Sequence, residues 1–130
     1  GELFDLWPQI AKHNPDRIIG SSGSFETLHD VCASRFEHPL LLPEQTHSHI
    51  NLQGLNICGA HLLKSSTVER LTTPGMLPMR ADTLHISALQ INFLLKKSEI
   101  KTLLISLYAL KEGVLFSMNK EHEPWQTSLL

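Results

Sequence analysis

Gly20-Ser21-Ser22-Gly23-Ser24 is the segment best suited to chemistry, because it brings three hydroxyls together on a run of small residues. It follows the short β-branched run Arg17-Ile18-Ile19 and precedes Phe25, Leu28, Val31, Cys32 and Phe36 at helical period, so it reads as the turn of a strand–turn–helix unit. At such a turn the unpaired N–H groups of the helix start and the positive end of its dipole favour a bound phosphate, and the serines add donors. The same residues also suit an ordinary turn in which Ser22 or Ser24 caps the helix. The segment lacks the lysine and four-residue gap of a Walker A loop, the GxGxxG spacing of a dinucleotide fold and the GxSxG of a hydrolase elbow.

A second candidate is Arg80, in Pro78-Met79-Arg80-Ala81-Asp82 at the start of a long apolar run. With Pro78 at the first helical position, Arg80 faces the positive end of the dipole, which costs up to about 1 kcal/mol unless an anion sits opposite. Asp82 is only two residues away and points to another side, so it serves the dipole rather than the arginine; a salt bridge to a distant carboxylate is the alternative role for Arg80. The eight histidines, including His47-Ser48-His49 and His61, match no zinc ligand frame. His29-Asp30 suggests a hydrolytic triad with Ser24, but a histidine five residues along the same helix points away from that serine. Glu26 reads as a helix-start charge, and Glu69 as the partner of Ser66 in a capping box.

These residues need a frame. Leu3, Leu6, Trp7 and Ile10 place a helix over Glu2 to His13, stopped by Asn14-Pro15. The strand at Arg17 to Gly20 and the helix after the serine turn come next. His38 to Pro43 is a proline-bracketed apolar connector. Helices are expected over about Ile50 to Leu63 and from Ser66, a turn at Thr72-Thr73-Pro74-Gly75, and a helix from Pro78 to Lys97. Its two apolar stripes, Leu84, Ala88, Ile91 and Leu95 beside Ile86, Leu89 and Phe93, predict burial on most sides. A strand at Lys101 to Ser106 and a helix at Leu110 to Met118 close the order, which favours two parallel strands joined by a helical crossover. Two strands make a poor sheet, so further strands are expected from outside this sequence.

The 130 residues fit one core, and a net charge of −2 with interspersed signs provides no field for nucleic acid or an anionic membrane. Cys32 and Cys58 lack CxxC spacing, and no apolar stretch near 18 residues or signal peptide is present, so a reduced, cytoplasmic protein is expected.

Four ordered blocks resemble the exopolyphosphatase and guanosine pentaphosphate phosphohydrolase family, Ppx/GppA. Ile19 to Ser24 looks like its G-T-S-G-T turn, Ser66 to Leu71 like its S-x-x-E-R segment, Arg80-Ala81-Asp82 like its R-x-D helix start, and Ala109 to Leu115 like its L-R-E-G block. Serine replaces threonine at Ser21 and Ser24, and Lys111 stands where arginine is common, which weakens a bidentate phosphate contact there.

The resemblance implies an α/β fold: residues 1–130 as a single, helix-rich fragment of an actin-like (ribonuclease-H-like, ASKHA) domain with a small parallel sheet, the C-terminal portion of the family's second domain. It implies attack of water on a terminal phosphoryl group, with Gly20, Ser21, Ser22, Gly23, Ser24 and Arg80 forming one phosphate-binding wall of a cleft. The family's catalytic glutamate and D-x-G-G-G-S loop have no match here, so the chain carries no catalytic residue and is expected to be inactive alone. Mg²⁺ is expected in the full-length enzyme, with none held by this chain. The implied partners are polyphosphate or guanosine pentaphosphate, a missing N-terminal domain and a second copy of the chain, with no nucleic acid and no membrane. A noncatalytic nucleotide-sensing or interaction domain, and a piece of an acetate- or sugar-kinase-like actin-fold enzyme, are the competing readings.

Overall fold

The computed structural model describes residues 5–36 and 45–119. Helix α1 (Leu6–His13) ends where Asn14 turns left-handed and returns its N–H to the Ile10 carbonyl. Strand β1 (Ile18–Ser21) leads directly into α2 (Gly23–Arg35). The expected connector at His38 to Pro43 lies outside the described residues. After it come β2 (His47–His49), α3 (Leu52–Lys64) and the single turn α4 (Thr67–Leu71). A 3₁₀ turn (Pro78–Arg80), α5 (Leu84–Ser98), β3 (Leu103–Ser106) and α6 (Leu110–Asn119) complete the order.

The sheet has the order β1-β3-β2. β1 and β3 are parallel with Ile18 opposite Leu103 and Ser21 opposite Ser106, as the crossover pattern predicts. The sheet is nevertheless mixed rather than parallel, because β2 pairs antiparallel with β3, His49 opposite Leu104. No β-branched or alternating apolar run marks His47-Ser48-His49, so this strand is set by its backbone pairing with β3 rather than by an apolar pattern of its own. Leu103 and Ile105 of β3 enter the core on the face shared with Ile18 and Gly20, while Ile19 on the opposite face is 63% exposed. Helices α2, α3 and α5 pack against one another, and Leu28, Leu55, Leu62 and Leu84 are fully buried among them.

The helix expected from Pro78 to Lys97 is broken. Arg70 donates through Nε to the Ala81 carbonyl at 2.6 Å, occupying the acceptor that an unbroken helix would offer to His85. The chain therefore makes its 3₁₀ turn, and α5 begins only at Leu84. Nor is α5 buried on most sides. Leu84, Ala88, Ile91 and Leu95 face the core, whereas Ile86, Leu89 and Phe93 are 48%, 53% and 52% exposed. Phe93 meets Trp7 of α1 edge to face, with centroids 6.1 Å apart.

Among the described residues no helix is long and apolar enough to cross a membrane.

Candidate functional site

The serine turn sits where β1 ends and α2 begins, and its shape follows from two glycines and one strained residue. Gly20 is buried against the Phe25 ring, in space that any side chain would need. Ser22 has φ 78°, a positive value that a serine adopts only when its neighbours impose it. Its carbonyl accepts the N–H groups of Phe25 (3.0 Å) and Glu26 (3.3 Å), which starts the helix. Ser22 occupies the N-cap position, yet its side chain makes no capping hydrogen bond. The ordinary capping role of this serine is therefore absent, and the helix itself offers no acceptor to the N–H groups of Gly23 and Ser24. Ser21 and Ser22 are exposed. Buried Thr27 donates to the Gly23 carbonyl at 2.7 Å and holds the first turn from inside.

Arg80 reaches this turn from the far side of the sequence. A Cβ built on Gly23 would stand 2.8 Å from Nη2, 3.4 Å from Nε and 3.5 Å from Cζ of Arg80, so the guanidinium occupies the place of the missing side chain. The cation thus lies against the positive end of α2. Its position belongs to the 3₁₀ turn and not to the start of α5, so the dipole it opposes is that of α2, not of its own helix. Glu26 in the first turn of α2 offsets part of this charge, but among the described residues no carboxylate forms an ion pair with Arg80. A cation, two free N–H groups and exposed hydroxyls together fit an anion with several oxygens.

Arg70 positions this arginine, a role the sequence did not signal. It is 7% exposed and donates to the carbonyls of Ala81, Leu62 (3.2 Å) and Ser65 (2.5 Å) and to the Thr67 hydroxyl (3.1 Å). The Ala81 carbonyl, one residue beyond Arg80, is thereby fixed to the end of α3. Three of the four partners of Arg70 are main-chain carbonyls, which leave no trace in hydrophobic period or motif spacing. Ser66 and Glu69 form the expected capping box, with Ser66 N–H to Glu69 Oε2 at 2.7 Å and Glu69 N–H to Ser66 Oγ at 3.3 Å.

The parallel register brings a further block to the same end. Because Ser21 pairs opposite Ser106, the turn after β1 and the segment after β3 leave the sheet on one side, the carboxyl ends where open α/β sheets bind ligands. Ala109 donates to Glu112 Oε2 at 2.9 Å as α6 begins, and Lys111 pairs with Glu112 at 3.2 Å on the surface. His29 points elsewhere: buried, it contacts Ser48 Oγ of β2 through Nε2 (3.2 Å) and Asp30 through Nδ1 (3.3 Å), joining α2 to the sheet. Its serine is Ser48 and not Ser24.

A parallel strand pair joined by a helical crossover, with the Gly23–Arg80 contact at the strand termini, defines an α/β domain. No family model matches the chain, and no curated protein matches it. Among solved structures it is similar to an exopolyphosphatase from Cytophaga hutchinsonii, with 33% identity and a TM-score of 0.80 over 89% of this chain and 37% of that one. The Aquifex aeolicus Ppx/GppA family member aligns at 19% identity and TM-score 0.68 over 94% of this chain and 41% of its own, and the type II variant of the Aquifex aeolicus Ppx/GppA phosphatase at 20% and 0.67 over 87% and 38%. The latter two likenesses concern the fold, whereas the first extends to sequence. The structural neighbours of this chain are thus Ppx/GppA proteins, whose fold is actin-like, and the chain spans less than half the length of each.

Proposed function

We propose that this chain is part of a phosphohydrolase that removes terminal phosphate from polyphosphate or guanosine pentaphosphate, and that it forms one wall of the phosphate cleft. The wall consists of Gly20, Ser21, Ser22, Gly23, Ser24 and Arg80, and the observation that carries it is the Arg80 guanidinium lying over Gly23 at the start of α2. Similarity to an exopolyphosphatase supports the substrate class. The remaining wall, with the water-activating base, belongs to an N-terminal domain outside this sequence, so the chain alone binds condensed phosphate without hydrolysing it.

On this wall the residues do positional and electrostatic work. Backbone N–H groups of Gly23 and Ser24 and the guanidinium hold non-bridging oxygens, and charge that builds on the phosphoryl group in the transition state meets donors already oriented. These are groups for an anion. Among the described residues no cluster of three or more His, Cys, Asp or Glu could hold a metal ion. Among the described residues β1 is an edge of the sheet, and that edge offers a place for a further strand or for a second copy of the chain.

Calorimetric titration with polyphosphate and with guanosine pentaphosphate tests the reading. Saturable binding that Arg80→Ala weakens, with no phosphate released, is the expected result. A chain that ignores both ligands is an interaction module instead, and phosphate release by the chain alone would defeat the shared-cleft arrangement.

A further inference from the structure

We propose that Cys32 and Cys58 form a dithiol that a hydroperoxide converts to an intramolecular disulfide, stapling α2 to α3. The two cysteines stand far apart in sequence and share no motif spacing, and the packing of the two helices brings them together. At one end of the helix pair the Phe36 ring lies against Gly54, 3.1 Å from where its Cβ would stand. Four residues back along α2 is Cys32, and four residues forward along α3 is Cys58. A further step of four in each direction reaches Leu28 and Leu62, both fully buried. Steps of four are the rows on which facing helices interdigitate, so the three pairs form successive layers of one antiparallel interface. Cys32 and Cys58 are the middle layer, both free and both buried in the same core cluster.

The environment separates the roles of the two thiols, each of which shifts the titration of the other. Cys58 is held below the ordinary thiol range by the hydrogen bond from Cys32, with the charge of Arg35 adding to the effect against burial. Cys32 is pushed up by that same bond and by its burial. Cys58 is itself only 1% exposed, but it borders an open pocket of about 440 Å³ together with Arg35 and His61, which is the side from which a small oxidant approaches it. Cys58 is therefore the attacking thiolate and Cys32 the resolving thiol.

The chemistry balances with the hydroperoxide as the oxidant. The Cys58 thiolate attacks one peroxide oxygen, the O–O bond breaks, and the departing alkoxide or hydroxide takes up a proton, leaving Cys58 as a sulfenic acid. The Cys32 sulfur then attacks the Cys58 sulfur, the S–O bond breaks, and hydroxide leaves with the Cys32 proton as water. Two electrons pass from two thiols to one peroxide. The phosphate wall takes no part in this, so the proposal stands or falls independently of it.

Mass spectrometry of the wild-type chain tests it directly. The protein is exposed to hydrogen peroxide, quenched, unfolded and alkylated with N-ethylmaleimide. The expected product is a monomer about 2 Da lighter than the reduced chain, with neither cysteine alkylated, a Cys32–Cys58 cross-linked peptide on digestion, and full reversal by dithiothreitol. In Cys32→Ser the same exposure leaves a dimedone-reactive sulfenic acid at Cys58, and in Cys58→Ser it leaves Cys32 as the thiol. Quantitative alkylation of both cysteines after exposure, cross-links only between chains, or irreversible oxidation of Cys58 without the cross-link would each overturn the proposal. The wild-type mapping decides it even where a serine variant fails to fold.

Discussion

The guanidinium of Arg80 lies across Gly23, with Nη2 2.8 Å from the place a Cβ would take. One residue supplies the charge and the other supplies the space. Arg80→Ala is expected to weaken polyphosphate binding roughly tenfold or more, the scale of a lost charge-assisted hydrogen bond, and to flatten the salt dependence of binding. Gly23→Ala removes the space without removing the charge. At a helix start it should change stability by less than about 1 kcal/mol while displacing the arginine and weakening the same binding. If the double variant binds no worse than the weaker single one, the two residues act as a unit; additive losses would show that they do not.

Arg70 has a different expected signature. Arg70→Ala strands the carbonyls of Ala81, Leu62 and Ser65 in a buried site and should destabilise the chain by roughly 3–5 kcal/mol. Lysine cannot donate in so many fixed directions, so Arg70→Lys recovers only part of this. Urea unfolding of the two variants beside Arg80→Ala checks the contrast between a positioning arginine and a ligand-facing one. A mild effect of Arg70→Ala contradicts the clamp.

Gly75 carries a third expectation. Its φ is +82°, and a Cβ there would stand 2.5 Å from the main-chain carbon and oxygen of Asp30, atoms that no rotamer change can move. Gly75→Ala should cost at least about 1–3 kcal/mol through strain and clash combined. Thermal melting measures it, and an unchanged midpoint would refute the close approach of this turn to α2.

The capping box makes a pH-dependent contribution. Hydrogen bonds from the Ser66 backbone and hydroxyl hold the Glu69 carboxyl below its ordinary value. A folded-state value lower than the unfolded one stabilises the chain above the unfolded value, and the effect is lost as pH falls through the folded one. Melting of wild type and Glu69→Gln from neutral pH down to about pH 3 should therefore show a gap that closes in acid. A constant gap would mean that charge is not what the box uses.

Local signals determined much of this molecule. The strand–turn–helix at Ile18 to Arg35, the capping box at Ser66 and the crossover between β1 and β3 were legible, because period, turn residues and caps act within a few residues of one another. Only the tertiary structure decided the rest. β2 has no apolar signature and owes its existence to the free edge of β3. The helix expected from Pro78 fails to run through because Arg70, from another element, takes the Ala81 carbonyl. The second stripe of α5 stays about half exposed because α2, α3 and the core meet the other face while Trp7 reaches Phe93 on this one, and periodicity reports apolar positions without saying whether anything covers them. Arg80 was recognisable as an unusual cation, but its seat over Gly23 depends on a fold that brings two distant turns to one end of the sheet. The Cys32–Cys58 layer depends likewise on helix packing, and contacts of that kind have no spacing that a sequence could display.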